Sequence, residues 1–320
     1  HAILPAASEE FAEQHGDMDG MGMAVVAFGK LGGGELLPMS DLDLVFVYDF
    51  AEDVTQSDGP KPLGPQVYYL RLCQRLVTAI TTETGEGALY EVDTRLRPSG
   101  KAGALATQLA GFAKYYKLPE GEAWTWEHMA LTRARPVYGS AALQARLTEV
   151  IRTALVQPRD IKKLLVDVDT MRNRIAREFA AKSEWDVKYR PGGLVDVEFT
   201  VQALQLAYAA ENPSILSTNT ADALERLQAA GYLTEPAFTA LREGLRLWRQ
   251  VQAAIRLTAP GGGFDASSAL EGQKRALARA AGVDTFEDLA PRMEIVAQAV
   301  RGQYEALIAT PAARYRKDLT

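Results

Sequence analysis

Two aspartates one residue apart are the first sign of chemistry in this chain. In Ser40-Asp41-Leu42-Asp43-Leu44 acid alternates with leucine. Residues i and i+2 of a strand share a face, so Asp41 and Asp43 would present two carboxylates side by side while Leu42 and Leu44 turn inward. Adjacent carboxylates repel unless a cation lies between them, and a divalent ion that prefers oxygen ligands suits them best. Just ahead runs Gly29-Lys30-Leu31-Gly32-Gly33-Gly34, where glycine lets backbone N–H groups of Gly32 and Gly33 approach a phosphate. No Gly-Lys-Ser/Thr follows at Walker spacing, which excludes a P-loop. A third stretch, Glu91-Val92-Asp93-Thr94-Arg95-Leu96-Arg97, alternates charge in the same way. As a strand it would set all four charged side chains on one face. Asp93 would then complete a three-carboxylate metal site, with Arg95 and Arg97 facing phosphate oxygens. Both stretches also have plainer readings: a solvated strand edge or turn for Asp-x-Asp, and a salt-bridged surface strand for residues 91–97.

The elements that must hold these residues follow from hydrophobic period and breakers. Strands are expected over residues 24–28, closed by Gly29, over 42–48, and over 88–96, ended by Pro98 and Gly100. Between the last two lie an acidic exposed loop, 49–65, and an amphipathic helix, 66–82, with the stripe Tyr69, Cys73, Leu76, Ile80. Helices are expected over 109–117, 122–135 and 141–156. Past Pro158 strand signals fade. Helices are expected over 159–182, from Leu194 to Tyr208 on the stripe Leu194, Val197, Val201, Leu204, Tyr208, and over 220–230, 235–257, 268–281 and 285–309, with a turn at 260–263. The reading is an α+β chain: a mixed catalytic domain over 1–158 and an all-α bundle over 159–320.

Composition bounds the rest. The 320 residues are 47% hydrophobic and 24% charged, enough for two cores. A net charge of −6 disfavours a protein that coats nucleic acid. The charge is uneven: 13 basic against 20 acidic residues up to Pro158, and 22 against 21 after it. The acidic front half offers no basic track for a duplex. A single cysteine, Cys73, excludes a disulfide framework, and three histidines disfavour a histidine-rich zinc site. With no apolar run near the ~20 residues needed to span a bilayer, a soluble cytoplasmic chain is expected. His1 in place of methionine reads as the start of a fragment.

The glycine turn, Asp-x-Asp on one strand and a third aspartate on a neighbour resemble the polymerase-β-like nucleotidyltransferase superfamily. Four stretches narrow the resemblance to the glutamine synthetase adenylyltransferase family: Gly29-Lys30-Leu31-Gly32-Gly33, Ser40-Asp41-Leu42-Asp43-Leu44, the run from Leu89 to Gly100, and Ala123-Trp124-Thr125-Trp126-Glu127-His128. That family has two similar halves; one attaches AMP to a tyrosine of glutamine synthetase, the other removes it by phosphorolysis. Gly192-Gly193-Leu194-Val195-Asp196-Val197-Glu198-Phe199 looks like the adenylylating half. The resemblance implies a polymerase-β-like domain followed by a helical bundle, with ATP as substrate. Two Mg²⁺ ions would be held by Asp41, Asp43 and Asp93, with Asp93 as base. Gly32, Gly33, Lys30, Ser40, Arg95 and Arg97 would lie around the nucleotide. Glutamine synthetase and a PII-type nitrogen-signalling protein are the implied partners, with no nucleic acid or membrane. The rival readings are the deadenylylating half, a catalytically silent binding module, and, more distantly, an antibiotic- or polymerase-type nucleotidyltransferase.

The remaining conspicuous residues have quieter expectations. Trp124, Trp126, His128, Arg133 and Arg135 sit on the expected helix 122–135, its aromatics read as core and His128 as structural rather than as a base. His15 reads as solvated. Asp196 and Glu198 start a helix, where carboxylates favour the dipole.

Overall fold

In the computed structural model, residues 3–83, 85, 87, 90–259 and 263–318 are described. The chain divides into two units, His1–Gln157 and Pro158–Thr320.

The first unit runs α1 (Ile3–His15), β1 (Gly22–Ala27), α2 (Gly29–Gly32), β2 (Leu42–Asp49), α3 (Pro65–Thr81), β3 (Val92–Asp93), β4 (Ala106–Gln108), α4 (Leu109–Tyr115), α5 (Thr125–Leu131), β5 (Arg135–Tyr138) and α6 (Ala141–Leu155). The sheet is mixed, in the order β3-β2-β1-β5. Strand β2 is antiparallel to β1 on one side; its other edge pairs in parallel with β3 at the start and β4 at the end. Residues Met23–Ala27 are all buried, so β1 is covered on both faces and reads as an unbroken apolar run. The stripe Tyr69, Cys73, Leu76 of α3 is buried against Phe46 and Tyr48 of β2, as its period requires. Cys73 is a core residue whose Sγ meets the Met23 sulfur, and burial pushes its thiol up.

Three departures from the expected elements bear on the site. Of the strand expected over 88–96, the described residues are strand at Val92–Asp93 alone, and Ala88 and Leu89 lie outside the described residues. It ends there because the Asp93 carboxylate accepts the backbone N–H of Arg95 at 2.8 Å, turning the chain. The Arg97 N–H then bonds the Thr94 carbonyl at 3.3 Å. Arg95 and Arg97 therefore sit in a turn, and the four charges do not share a strand face. The helix expected over 122–135 is only α5, and residues 135–138 are the edge strand β5, where Pro136 is tolerated. The N-terminal helix α1 carries only a weak sequence signal, because its buried side, Ala7 and Phe11, is diluted by four charged or amide residues.

The second unit is helical: α7 (Ile161–Glu178), α8 (Leu194–Tyr208), α9 (Thr220–Ala229), α10 (Glu235–Thr258), α11 (Glu271–Ala281), α12 (Leu289–Tyr304) and α13 (Thr310–Asp318). Asp160, Asn219 and Thr234 cap α7, α9 and α10 through side-chain oxygens, which explains starts the sequence already marked. Leu194, Val197, Val201 and Leu204 of α8 are buried, while Tyr208 is half-buried and stacks on Tyr232. The single helix expected to end at Ala309 instead passes through a π-helical turn, Glu305–Ala309, beside Pro311, whose missing N–H breaks the α ladder. Of the turn expected at 260–263, residues 260–262 lie outside the described residues. No helix among the described residues is long and apolar enough to cross a membrane.

Candidate active site

Parallel pairing of β2 with β3 sets Asp43 opposite Asp93 in register, with Leu42 opposite Val92. Neighbouring strands lie about 4.8 Å apart, so the two carboxylates start from adjacent backbones. The Asp43 carbonyl accepts the Phe28 N–H at 2.9 Å, which brings the end of β1 alongside. Next in chain is Gly29, at φ +53; a Cβ there would lie 2.1 Å from Asp43 Oδ2. Glycine is required on both counts, because Asp43 lies over this residue's α-carbon. Asp41, two residues before Asp43, is exposed. The three aspartates are thus gathered at one end of the sheet.

The cation among them is Arg95. Its Nε lies 2.8 and 3.0 Å from the two Asp93 carboxylate oxygens, and its Nη2 contacts the same group. Burial, which pushes the Asp93 carboxyl up, is outweighed by the side-chain and backbone hydrogen bonds from Arg95 and by the charges of Arg95 and Lys101, and the group stays below the usual carboxylate range. In return the hydrogen bond and charge of Asp93, then the charges of Asp43 and Asp41, raise the Arg95 guanidinium. Among the described residues no three His, Cys, Asp or Glu side chains already surround one metal position. The donor set still fits a hard divalent cation in kind: carboxylate oxygens, crowded enough to hold a positive group.

The glycine turn serves packing more than the sequence suggests. Gly32 N–H donates to the Phe28 carbonyl at 2.8 Å and Gly33 N–H to the Gly29 carbonyl at 3.1 Å, so the N–H groups expected to cradle phosphate close the turn of α2 instead. At Gly32 an added Cβ would lie 2.0 Å from the Arg133 carbonyl oxygen and 2.6 Å from that of Ala27. Arg135 bonds the Gly32 and Leu31 carbonyls at 3.1 and 3.2 Å, and buried Arg133 pairs with buried Glu35. Lys30 is half-buried in the same turn. Ser40 is buried, its Oγ accepting the Leu37 N–H at 3.3 Å, a loop-closing role. Arg97 donates to the carbonyls of Gly103, Thr94 and Lys101 at 3.1, 2.8 and 3.3 Å, so it shapes the loop after Asp93 rather than standing ready for phosphate.

Helix α5 gives mixed outcomes. Trp124 is 72% exposed, against the core expectation, while Trp126 is half-buried. His128 is buried, both ring nitrogens 3.2 Å from the carbonyls of Trp124 and Tyr116, a structural setting. Glu127, missed as a candidate, accepts Tyr115 Oη at 2.7 Å and the Trp124 N–H at 2.8 Å. Burial raises its carboxyl, and burial together with this bond pushes Tyr115 up to about 12. The acid three residues after a helix start was the available signal. His15 is not merely solvated: its Nδ1 lies 2.7 Å from the Lys61 carbonyl and its ring packs on Phe11.

In the second unit Asp196 stands in the first turn of α8, as expected, and is fully buried. It pairs with Arg172, accepts the Gly192 N–H at 2.6 Å, and lies 3.4 Å from Arg301 Nη1. Glu198 is half-buried on the same helix.

Comparison with known proteins bears on this geometry. Residues 1–150 match the family described as Glutamate-ammonia ligase adenylyltransferase, and residues 159–308 match that described as GlnD PII-uridylyltransferase. The chain is 41% identical over 308 residues to a bifunctional glutamine synthetase adenylyltransferase/adenylyl-removing enzyme of Bradyrhizobium sp. strain BTAi1, covering 96% of this chain and 31% of the relative. Enzymes of the same name from Rhodopseudomonas palustris strain TIE-1 and Brucella suis biovar 1 are each 41% identical, over 94% and 95% of this chain and 30% of their own length. The chain spans about a third of the length of the curated relatives it matches, and along that third it is similar to these bifunctional enzymes almost from end to end.

Proposed function

We propose that this chain is a Mg²⁺-dependent adenylyltransferase that moves AMP from ATP to a tyrosine of glutamine synthetase, releasing pyrophosphate, in cytoplasmic control of nitrogen assimilation. The observation that carries the reading is the in-register pair Asp43 and Asp93, with Asp41 beside them, in a segment similar to named adenylyltransferases. Asp41, Asp43 and Asp93 would hold the metal. When bound, Mg²⁺ offsets the charge that builds on the α-phosphate and the departing pyrophosphate. The tyrosine hydroxyl, with an ordinary pKa near 10, must lose its proton as its oxygen forms the new P–O bond. A carboxylate oxygen of Asp93 accepts that proton while the bond to pyrophosphate breaks. Arg95 and Lys101, whose charges act on Asp93, would pair with phosphate oxygens. Gly29 makes room for Asp43; Ser40, Arg97, Gly32 and Gly33 hold the surrounding loops, and Lys30 stands in the turn between them.

The second unit is read as the docking domain for glutamine synthetase and a PII-type signalling protein, supported by the match of residues 159–308 to a PII-uridylyltransferase family. The Val195-Asp196 pair favours the adenylylating half. A second reading, phosphorolytic removal of AMP to give ADP, is favoured by the double name of the relatives. Incubation with Mg²⁺, unmodified glutamine synthetase and ATP labelled at the α-phosphate should label the synthetase. Release of labelled ADP from adenylylated synthetase in phosphate, without the forward transfer, would select the second reading.

A further inference from the structure

We propose that Arg95 is a resident cation that neutralises the aspartate cluster in the absence of nucleotide and leaves it for the phosphates when nucleotide binds, coupling metal entry to nucleotide entry. This rests on the nucleotidyl-transfer reading of the site.

Three features single out Arg95 among the arginines at this end of the unit. Among the described residues its guanidinium bonds Asp93 alone, whereas Arg97 is tied to three backbone carbonyls and Arg135 to two. Its side chain is 66% exposed while that of Asp93 is 15% exposed, so the arm reaches in from solvent and can swing away without uncovering a core. The turn that carries it survives such a swing, because the Arg95 backbone N–H remains on Asp93 Oδ1 at 2.8 Å and Arg97 still holds Thr94 and Gly103.

The chemistry of exchange is favourable on both sides. A guanidinium fork matches two phosphate oxygens as well as two carboxylate oxygens, so Arg95 can trade one for the other with its hydrogen bonds kept. A pair this exposed holds weakly, which makes the exchange reversible. With Arg95 on Asp93, a divalent ion must compete with an internal charge; once a triphosphate draws Arg95 off, the carboxylates are released to the metal. Linkage makes the effect mutual, so Arg95 contributes to the tightening of metal binding by nucleotide.

The test is Mn²⁺ binding to the 320-residue chain, read from the loss of the free-ion paramagnetic signal, without and with a non-hydrolysable ATP analogue. Without nucleotide, Arg95→Gln should bind Mn²⁺ about two- to fivefold more tightly than wild type, the scale of one exposed ion pair. The analogue should then tighten Mn²⁺ binding less in Arg95→Gln than in wild type. Arg95→Gln binding no more tightly than wild type, while Asp43→Asn abolishes binding in both backgrounds, overturns the role of Arg95 and leaves the site intact. Binding that survives Asp43→Asn in both backgrounds overturns the metal-site reading, and this proposal with it.

Discussion

At the open end of the first unit Asp93 meets Arg95, the arginine two-thirds exposed; in the second unit Asp196 meets Arg172 with both side chains out of solvent. Both are carboxylate–arginine pairs, and their surroundings set opposite roles. Asp196 is held from three directions, by Arg172 on α7, by the Gly192 N–H and by Arg301 on α12, so one carboxylate ties together two helices and the loop before a third. Buried charges of this kind leave no cheap alternative partner, and the arrangement is fixed. Asp93 is held by the backbone N–H and the exposed side chain of a single residue, Arg95, beside the other two aspartates. Exposure, not residue type, separates the structural pair from the exchangeable one.

The largest effect should come from breaking the buried system. Asp196→Ala leaves Arg172 buried and unpaired and should cost the helical unit about 3–5 kcal/mol, read in urea unfolding followed by helix circular dichroism. A loss below about 1 kcal/mol, the scale of surface pairs, would erase the contrast. Next comes Asp43→Asn, which should lower adenylyl transfer by at least about a hundredfold, roughly 2.7 kcal/mol of barrier, while leaving the unfolding midpoint close to wild type. Gly32→Ala tests whether the glycine turn is a packing device. Its methyl would press on two backbone carbonyls that cannot rotate away, and a loss of about 1–3 kcal/mol in thermal unfolding of the first unit is expected. Smallest is the acid dependence of the Asp93–Arg95 pair. The Asp93 carboxyl sits below its ordinary value, so the pair's contribution is present above the usual carboxylate range and fades as pH falls through the folded-state value. Arg95→Gln should therefore cost less than about 1 kcal/mol at neutral pH, with wild type and variant converging in acid.

Much of this contrast was legible in the residues. The period of α3 and α8, the starts of α9 and α10, and the strand over 42–48 each reflect a local rule that tertiary structure left in force. The departures have two causes. Charged alternation at 91–97 fits a strand, yet Asp93 bonds the N–H two residues on and the strand stops. Gly32 looks like a phosphate contact because glycine permits close approach; what approaches is the Arg133 carbonyl, a residue about a hundred positions away. Asp196 does stand in the first turn of α8, as expected, and Arg172 and Arg301 from other helices add a pairing the sequence does not show. A local turn decides the end of the strand at Asp93, and partners distant in sequence decide the role of Gly32 and the pairing of Asp196; strand period and composition carry no record of either.

The most direct test of the account is a crystal structure of this chain with Mn²⁺ and a non-hydrolysable ATP analogue, the metal located by anomalous scattering. The account predicts metal between the carboxylates of Asp43 and Asp93, with the Arg95 guanidinium moved from Asp93 onto the phosphates. Nucleotide and metal bound away from Asp41, Asp43 and Asp93 would contradict it.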